Sequence, residues 1–258
     1  MDYKSLNVTL RDGIGTITLN RPDVRNALNP QMRAEITYAF RDLAKEARVI
    51  VLTGAGNAFC SGQDLGEGVS AGNADLERIL RDEYVPMLRA IFECPVPTIA
   101  AVNGAAAGAG ANLALACDVV IATESAVFLQ AFTRIGLIPD AGGTYWLPKQ
   151  IGFARAMGAA LFAEPVSAQQ AQDWGMIWEA VDDEQFEEHW KARATHLANG
   201  PTRAYTSLKD TLRASYNNTL DEQLALEAKH QGKMGQTRDF KEGVVSFLKK
   251  KPAKFEGR

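Results

Sequence analysis

The stretch from Ile99 to Pro148 constrains what this chain can fold into more than any other. It reads IAAVNGAAAGAGANLALACDVVIATESAVFLQAFTRIGLIPDAGGTYWLP. Ile99 to Val102 is a strand-like run, followed by a Gly/Ala-rich turn into an apolar helix, Gly108 to Ala116. A second strand follows at Asp118 to Ala122, and then a single acid, Asp140, beside Gly142 and Gly143. Backbone N–H groups at a Gly-rich helix start suit a developing oxyanion. One carboxylate among apolar side chains suits the movement of a proton. Together they point to chemistry next to a carbonyl.

The flanking segments extend the same pattern. Asn7 to Arg11 and Ile14 to Asn20 read as a hairpin turning at Asp12-Gly13. Asn29 before Pro30 marks a helix start, and Met32, Ile36, Phe40 and Leu43 then form one stripe. Val49 to Leu52 is short and wholly apolar, as in a sheet covered on both faces. Gly54 to Gly72 is too long and Gly/Ser-rich for a simple turn. A helix follows from about Asp75 to Glu93. Beyond Asp140 the expected helices are Phe153 to Phe162, Ser167 to Trp174, Asp183 to Asn199, Thr202 to Ser215, Thr219 to Lys233 and Asp239 to Lys249. Alternating strands and helices followed by helices alone imply an α/β layer fold with mostly parallel pairing and a helical arm.

Composition excludes several classes. The chain has 258 residues and a net charge of −3, which argues against a nucleic-acid partner. Cys60, Cys94 and Cys117 lie far apart with no paired spacing, as buried thiols in a reducing compartment would. No apolar run approaches the ~18 to 20 residues of a membrane span. The N-terminal stretch has no apolar core behind its positive charge, so the expected location is cytoplasmic. His189, His196 and His230 show no metal-ligand pattern and read as surface or packing residues.

Two Gly-flanked turns, Phe59 to Asp64 and Gly104 to Gly110, leave the carboxyl ends of strands, where open α/β sheets place ligands. Small residues that let a helix pack on a sheet are the plainer reading of either turn alone. Neither turn has the spacing of a dinucleotide fingerprint or a phosphate-binding loop.

The motifs AFCSGQD, AAVNGAAAGAGANLALACD and GLIPDAGGT, in this order, resemble those of the enoyl-CoA hydratase/isomerase (crotonase) superfamily. The resemblance runs from NRPDVRNALN at Asn20 to the FLKKKPAKF tail. It implies a crotonase-type α/β spiral of β-β-α turns as the catalytic core, residues 1–198, and a helical oligomerisation region, residues 199–258, forming homotrimers or homohexamers. The implied substrate is an acyl-CoA thioester. Coenzyme A enters as part of that substrate, with no separate cofactor and no metal.

Carried over position by position, the resemblance assigns the thioester oxygen to the backbone N–H groups of Gln63 and Ala109. The family often has glycine at the second position, which a backbone donor does not require. Hydrating members carry two glutamates that bracket a water; here those positions hold Asn112 and Phe132, which implies that the ordinary hydration mechanism is absent. Asp140 matches the position at which isomerase branches carry an acid. The segments GAAAGAGANLALACD, AFTRIGLIPDAGGTYWLP and QAQDWGMIWEAVDDE resemble more narrowly the branch that converts the ring epoxide of phenylacetyl-CoA to an oxepin. Relatives that isomerise fatty enoyl-CoAs could share them.

The resemblance further implies substrate contacts at Val24, Arg25, Ala27, Ser61, Asp64, Leu65, Asn112, Phe132 and Lys250. Arg25 and Lys250 would meet the nucleotide phosphates, often across a subunit boundary. Local sequence leaves alternatives open. Asp140 is equally well placed as a helix N-cap, and Asp64 could orient its own loop. Phe132, Leu137, Ile138 and Trp146 could wall the acid and raise its pKa, or Phe132 and Trp146 could belong to the core. An aryl-CoA dehalogenase-like hydrolase would use Asp140 as a nucleophile, and a non-catalytic acyl-CoA or RNA binding protein would use it only as a cap. The acyl pocket depends on the Gly66 to Asn73 loop, whose composition leaves the acyl group open.

Overall fold

The computed structural model describes residues 2–66 and 75–258. The chain opens with β1 (Leu6–Arg11) and β2 (Ile14–Leu19), an antiparallel hairpin. Helix α1 (Pro30–Leu43) starts as its sequence demands: the Asn29 side chain accepts from the Met32 N–H, and Pro30 follows it. Met32, Ile36, Phe40 and Leu43 are all buried, and so is the charged Arg33.

Three strand–strand–helix turns then stack on one another. In the first, β3 (Val49–Gly54) and β4 (Ala58–Cys60) precede α2 (Leu76–Ile79), a π-helical turn (Leu80–Tyr84) and α3 (Val85–Phe92). The second is β5 (Thr98–Val102), β6 (Ala105–Ala107) and α4 (Ala109–Leu115). The third has β7 (Val119–Thr123), β8 (Val127–Leu129), a 3-10 turn (Ala131–Ile135) and α5 (Gly143–Phe162). The chain continues through β9 (Val166–Ser167), α6 (Ala168–Trp174), β10 (Glu179–Val181) and α7 (Phe186–Ala198). It ends in α8 (Thr202–Ala214), α9 (Leu220–Met234) and α10 (Arg238–Leu248).

The long strands form a six-stranded sheet, β1-β2-β3-β5-β7-β10, parallel from β2 onward. The short ones form a second sheet, β4-β6-β8-β9. Each turn thus gives one strand to each sheet, the spiral of β-β-α turns expected from the motifs. Both faces of the large sheet are covered. Val49, Val51, Ile99, Ala101 and Ile121 pack under Phe186, Trp190 and Ala194 of α7, while Ile50, Leu52, Ala100, Val102 and Val120 join the main core.

The helix expected over Phe153 to Phe162 is the second half of α5; Gly152, whose φ/ψ of 76°/162° is not helical, separates it from a first half starting at Gly143. That first half was hidden by the Gly142-Gly143 start and by Pro148. Helix α8 docks through Lys209 and Arg213, both paired with Asp118 at 2.6 Å. The tail after α10 folds back, with Asp239 accepting from the Glu256 and Gly257 N–H groups. Apolar side chains on these helices remain uncovered by their own chain: Leu212, Leu220, Phe247 and Leu248 are all more than half exposed. No helix among the described residues is long and apolar enough to cross a membrane.

Candidate active site

The turn after β4 is stapled to the segment before α1. The Ser61 N–H donates to the Arg25 carbonyl at 2.9 Å and its hydroxyl to the Val24 carbonyl at 3.1 Å. The Leu28 N–H donates to the Gly62 carbonyl and the Asp64 N–H to the Leu28 carbonyl, so Leu28 and Gln63 form a parallel bridge. In that geometry the bridged residue's own N–H points away from its partner strand. The Gln63 N–H is therefore directed outward from Leu28. Arg21 closes the arrangement, donating to the Asp64 carboxylate at 2.7 Å and to the Ala27 carbonyl at 2.6 Å. Asp64 also accepts from the Gly66 N–H at 2.9 Å. Its carboxylate thus ties the loop to Arg21.

The turn after β6 meets this one edge to edge. A Cβ on Gly62 would lie 2.8 Å from the Ala107 carbonyl oxygen and 3.4 Å from the Ala109 nitrogen. Only glycine fits there, and φ of 93° favours it as well. A Cβ on Gly110 would lie 2.2 Å from the Cys60 carbonyl oxygen, so the start of α4 sits directly on β4. Ala109 is the first residue of that helix, and its N–H has no intrahelical acceptor. Two backbone donors, Gln63 and Ala109, therefore lie on adjoining turns. Phe132 flanks them, its Cζ 3.7 Å from the place of a Cβ on Gly108.

Asp140 is held over the first turn of α4. The Asn112 side-chain amide donates to the Asp140 carbonyl at 2.8 Å and accepts from the Gln130 amide at 2.9 Å. Asn112 is fully buried, with both ends of its amide engaged inside the protein. It thus stands behind the acid, where it fixes the loop. The carboxylate itself does not cap α5: the N-cap is Gly142, and Asp140 Oδ1 is buried without a hydrogen-bond partner. The cap reading is therefore set aside. Burial alone pushes this carboxyl up to about 6.

The walls differ from expectation. Ile138 is 76% exposed among the described residues, and Trp146 packs on the core, donating from Nε1 to the Ala141 carbonyl at 3.2 Å. Leu65 is exposed, and of the Gly66 to Asn73 loop expected to shape the acyl pocket all but Gly66 lies outside the described residues. Lys250 follows α10, and no hydrogen bond or ion pair among the described residues joins its side chain to Arg25 or the two turns. The Cys60 thiol beneath the site is pushed up to about 12 by burial, which leaves it inert. His189 pairs with Glu179 at 2.7 Å, a packing role on α7.

Residues that sequence reasoning missed lie just behind the donors. Buried Arg33 and Tyr84 hold the Gln63 side chain, and half-buried Glu83 in turn holds Arg33. The signal was present in α1: Arg33 falls at helical spacing with Ile36 and Phe40, a charge on the apolar stripe.

Comparison with known proteins gives the same frame. The family model for enoyl-CoA hydratase/isomerase matches residues 9–258. A Rhodobacter capsulatus protein named "Probable enoyl-CoA hydratase" is 59% identical over 258 residues, covering 100% of both chains. The 1,2-epoxyphenylacetyl-CoA isomerase of Escherichia coli K12 is 44% identical over 251 residues, 95% of this chain and 96% of that one. The crystal structure of an enoyl-CoA hydratase from Bacillus anthracis superposes with a TM-score of 0.92 at 30% identity, covering 99% of this chain and 100% of its own. With its stacked turns and paired backbone donors, this chain belongs to the enoyl-CoA hydratase/isomerase family.

Proposed function

We propose that the protein is an acyl-CoA isomerase that works with one carboxylate and a backbone oxyanion hole. The observation that carries this reading is the state of Asp140: half-buried, its Oδ1 shielded without a partner, and raised to about 6 by desolvation with no second charge contributing. A base poised near neutrality can both take and return a proton. The substrate's thioester oxygen lies on the Gln63 and Ala109 N–H groups. Asp140 removes a proton from a carbon activated by the thioester, and the C–H electron pair passes to that oxygen as an enolate. Protonated Asp140 then returns the proton at another carbon, moving a double bond. With a ring epoxide the enolate instead breaks one epoxide C–O bond, the oxygen staying on the adjacent ring carbon as an alkoxide. That oxygen bonds back as the C–C bond between the two epoxide carbons opens, and protonated Asp140 returns its proton to a ring carbon, so that the oxepin is an isomer of the epoxide. Likeness to the epoxyphenylacetyl-CoA isomerase supports an aromatic acyl group, and Phe132 beside the donors supplies an apolar face for it.

Hydration would need a second acid or base to hold the water. Asn112 is tied up behind Asp140, and Phe132 has no proton to give. The test is a parallel assay of crotonyl-CoA and of the ring-epoxide thioester. Isomer should form from the epoxide, while hydration stays well below an ordinary enzyme kcat of roughly 1 to 10³ s⁻¹. Robust formation of 3-hydroxybutyryl-CoA would refute the reading.

Coenzyme A belongs to the substrate here, and no separate cofactor enters these steps. The uncovered apolar faces of α8 to α10 support a homotrimer or homohexamer in solution, in which Lys250 of one protomer and Arg25 of another would meet the nucleotide phosphates. Light scattering on the purified protein measures that assembly.

A further inference from the structure

The Gln63 side chain is held at both ends of its amide, close to the two donors. Its Oε1 accepts from Arg33 Nη1 at 2.9 Å and from the Tyr84 hydroxyl at 2.5 Å, and its Nε2 donates to the Asp64 carbonyl at 3.2 Å. Arg33 is 1% exposed and Tyr84 2%. The same Arg33 Nη1 also donates to the Leu28 carbonyl at 2.6 Å, and Leu28 is the residue bridged to Gln63. One guanidinium nitrogen therefore grips both members of the bridge.

Glu83 holds the remaining edge of the guanidinium, accepting from Nε at 3.1 Å and Nη2 at 2.5 Å. The Arg33 carbon lies 4.9 Å from the centre of the Tyr84 ring, stacked over it. Glu83 and Tyr84 are consecutive residues of the π-helical turn. That wide turn lets neighbours in sequence reach one buried cation, one by charge and one by ring face. Taking an Arg–Glu ion pair out of water gains little stability over an apolar core of the same shape. Such a cluster therefore calls for a reason other than stability.

We propose that Arg33 and Tyr84 are positioning residues for the oxyanion hole, acting through the Gln63 side-chain amide to fix the direction of the Gln63 backbone N–H. This inference rests on the reading that the thioester oxygen sits on that N–H. An oxyanion donor stabilises charge only as far as it is already aimed when charge develops. Neither residue moves a proton in the reaction.

The test uses cinnamoyl-CoA, whose conjugated thioester absorbs at longer wavelength when hydrogen bonds polarise its carbonyl. Tyr84→Phe removes one hydroxyl and keeps the ring over Arg33; Arg33→Lys keeps the charge and loses the fork. Wild-type protein should bind the probe with a red shift. Both variants should bind it within about threefold of wild type but with at most half the shift, and lose about tenfold in kcat with KM little changed, part of the 10² to 10³ that a whole donor is worth. The lower limb of the pH profile should stay in place, because burial alone sets Asp140. If Arg33→Lys fails to fold, Tyr84→Phe alone decides. Wild type with no red shift would overturn the placement of the thioester, and this inference with it. A wild-type shift retained in full by Tyr84→Phe would overturn the clamp alone.

Discussion

Asp140→Asn separates the chemistry of the carboxylate from its shape, and its effect on stability can be worked from the site. The carboxyl rises from its ordinary 3.8 to about 6 on folding, with burial as the cause. At about 1.4 kcal/mol per pH unit, the ionised folded state is disfavoured by about 3 kcal/mol relative to the unfolded chain. Water reaching the half-buried group lowers that to about 1 to 3 kcal/mol. The sign follows from the raised value: below 3.8 the carboxyl is neutral in both states and costs nothing extra. The cost grows as pH rises from 3.8 to about 6, and above that it is constant. A neutral amide never incurs it. Asp140→Asn should therefore be more stable than wild type by about 1 to 3 kcal/mol at pH 8 and by only a few tenths at pH 4. The assay is urea unfolding at both pH values and one protein concentration, so that assembly contributes equally. The same variant should lose about 10² to 10⁴ in isomerisation rate while still binding acyl-CoA. A variant no more stable at pH 8 than at pH 4, relative to wild type, would refute the desolvation argument; activity within a few-fold of wild type would refute the base.

Two further outcomes follow from the same geometry. The kcat/KM for isomerisation should fall below pH about 6, as Asp140 takes up a proton and can no longer accept one; a flat profile from pH 5 to 8 would exclude it as the base. Ala109→Pro removes the backbone donor and should reduce kcat by roughly 10² to 10³, whereas Ala109→Gly keeps the N–H and should retain most activity. Circular dichroism and light scattering first establish that both variants fold, and a folded proline variant that turns over normally would place the thioester oxygen elsewhere.

The long elements were legible because each announces itself locally. The hairpin has its Asp12-Gly13 turn, α1 its Asn29-Pro30 start, and β3 and β5 are apolar throughout, as strands buried on both faces must be. The second sheet was not legible. Strands β4, β6 and β8 are three residues each, too short for any period, and β6 is Ala-Ala-Ala between two glycines. What makes them strands is the neighbouring turn of the spiral: Ala106 pairs with Cys60 on one side and with Phe128 on the other. The site followed the same division. Asp140 and the two Gly-flanked turns could be read from motifs, since each depends on its own few residues.

What could not be read is whatever depends on distant partners. Nothing within the GLIPDAGG motif shows that Asn112 would hold the acid from behind or that the cap would fall to Gly142. Nor does α1 alone show that Arg33, on a face otherwise apolar, would find Glu83 and Gln63 from segments 50 and 30 residues away. A buried cation on an apolar stripe is still a usable signal, because an unpaired guanidinium cannot remain in a core. Its partner must come from another element, and a π-helical turn is one device that brings two such partners together. The residues proposed to react are therefore local in sequence, while those proposed to aim them are not.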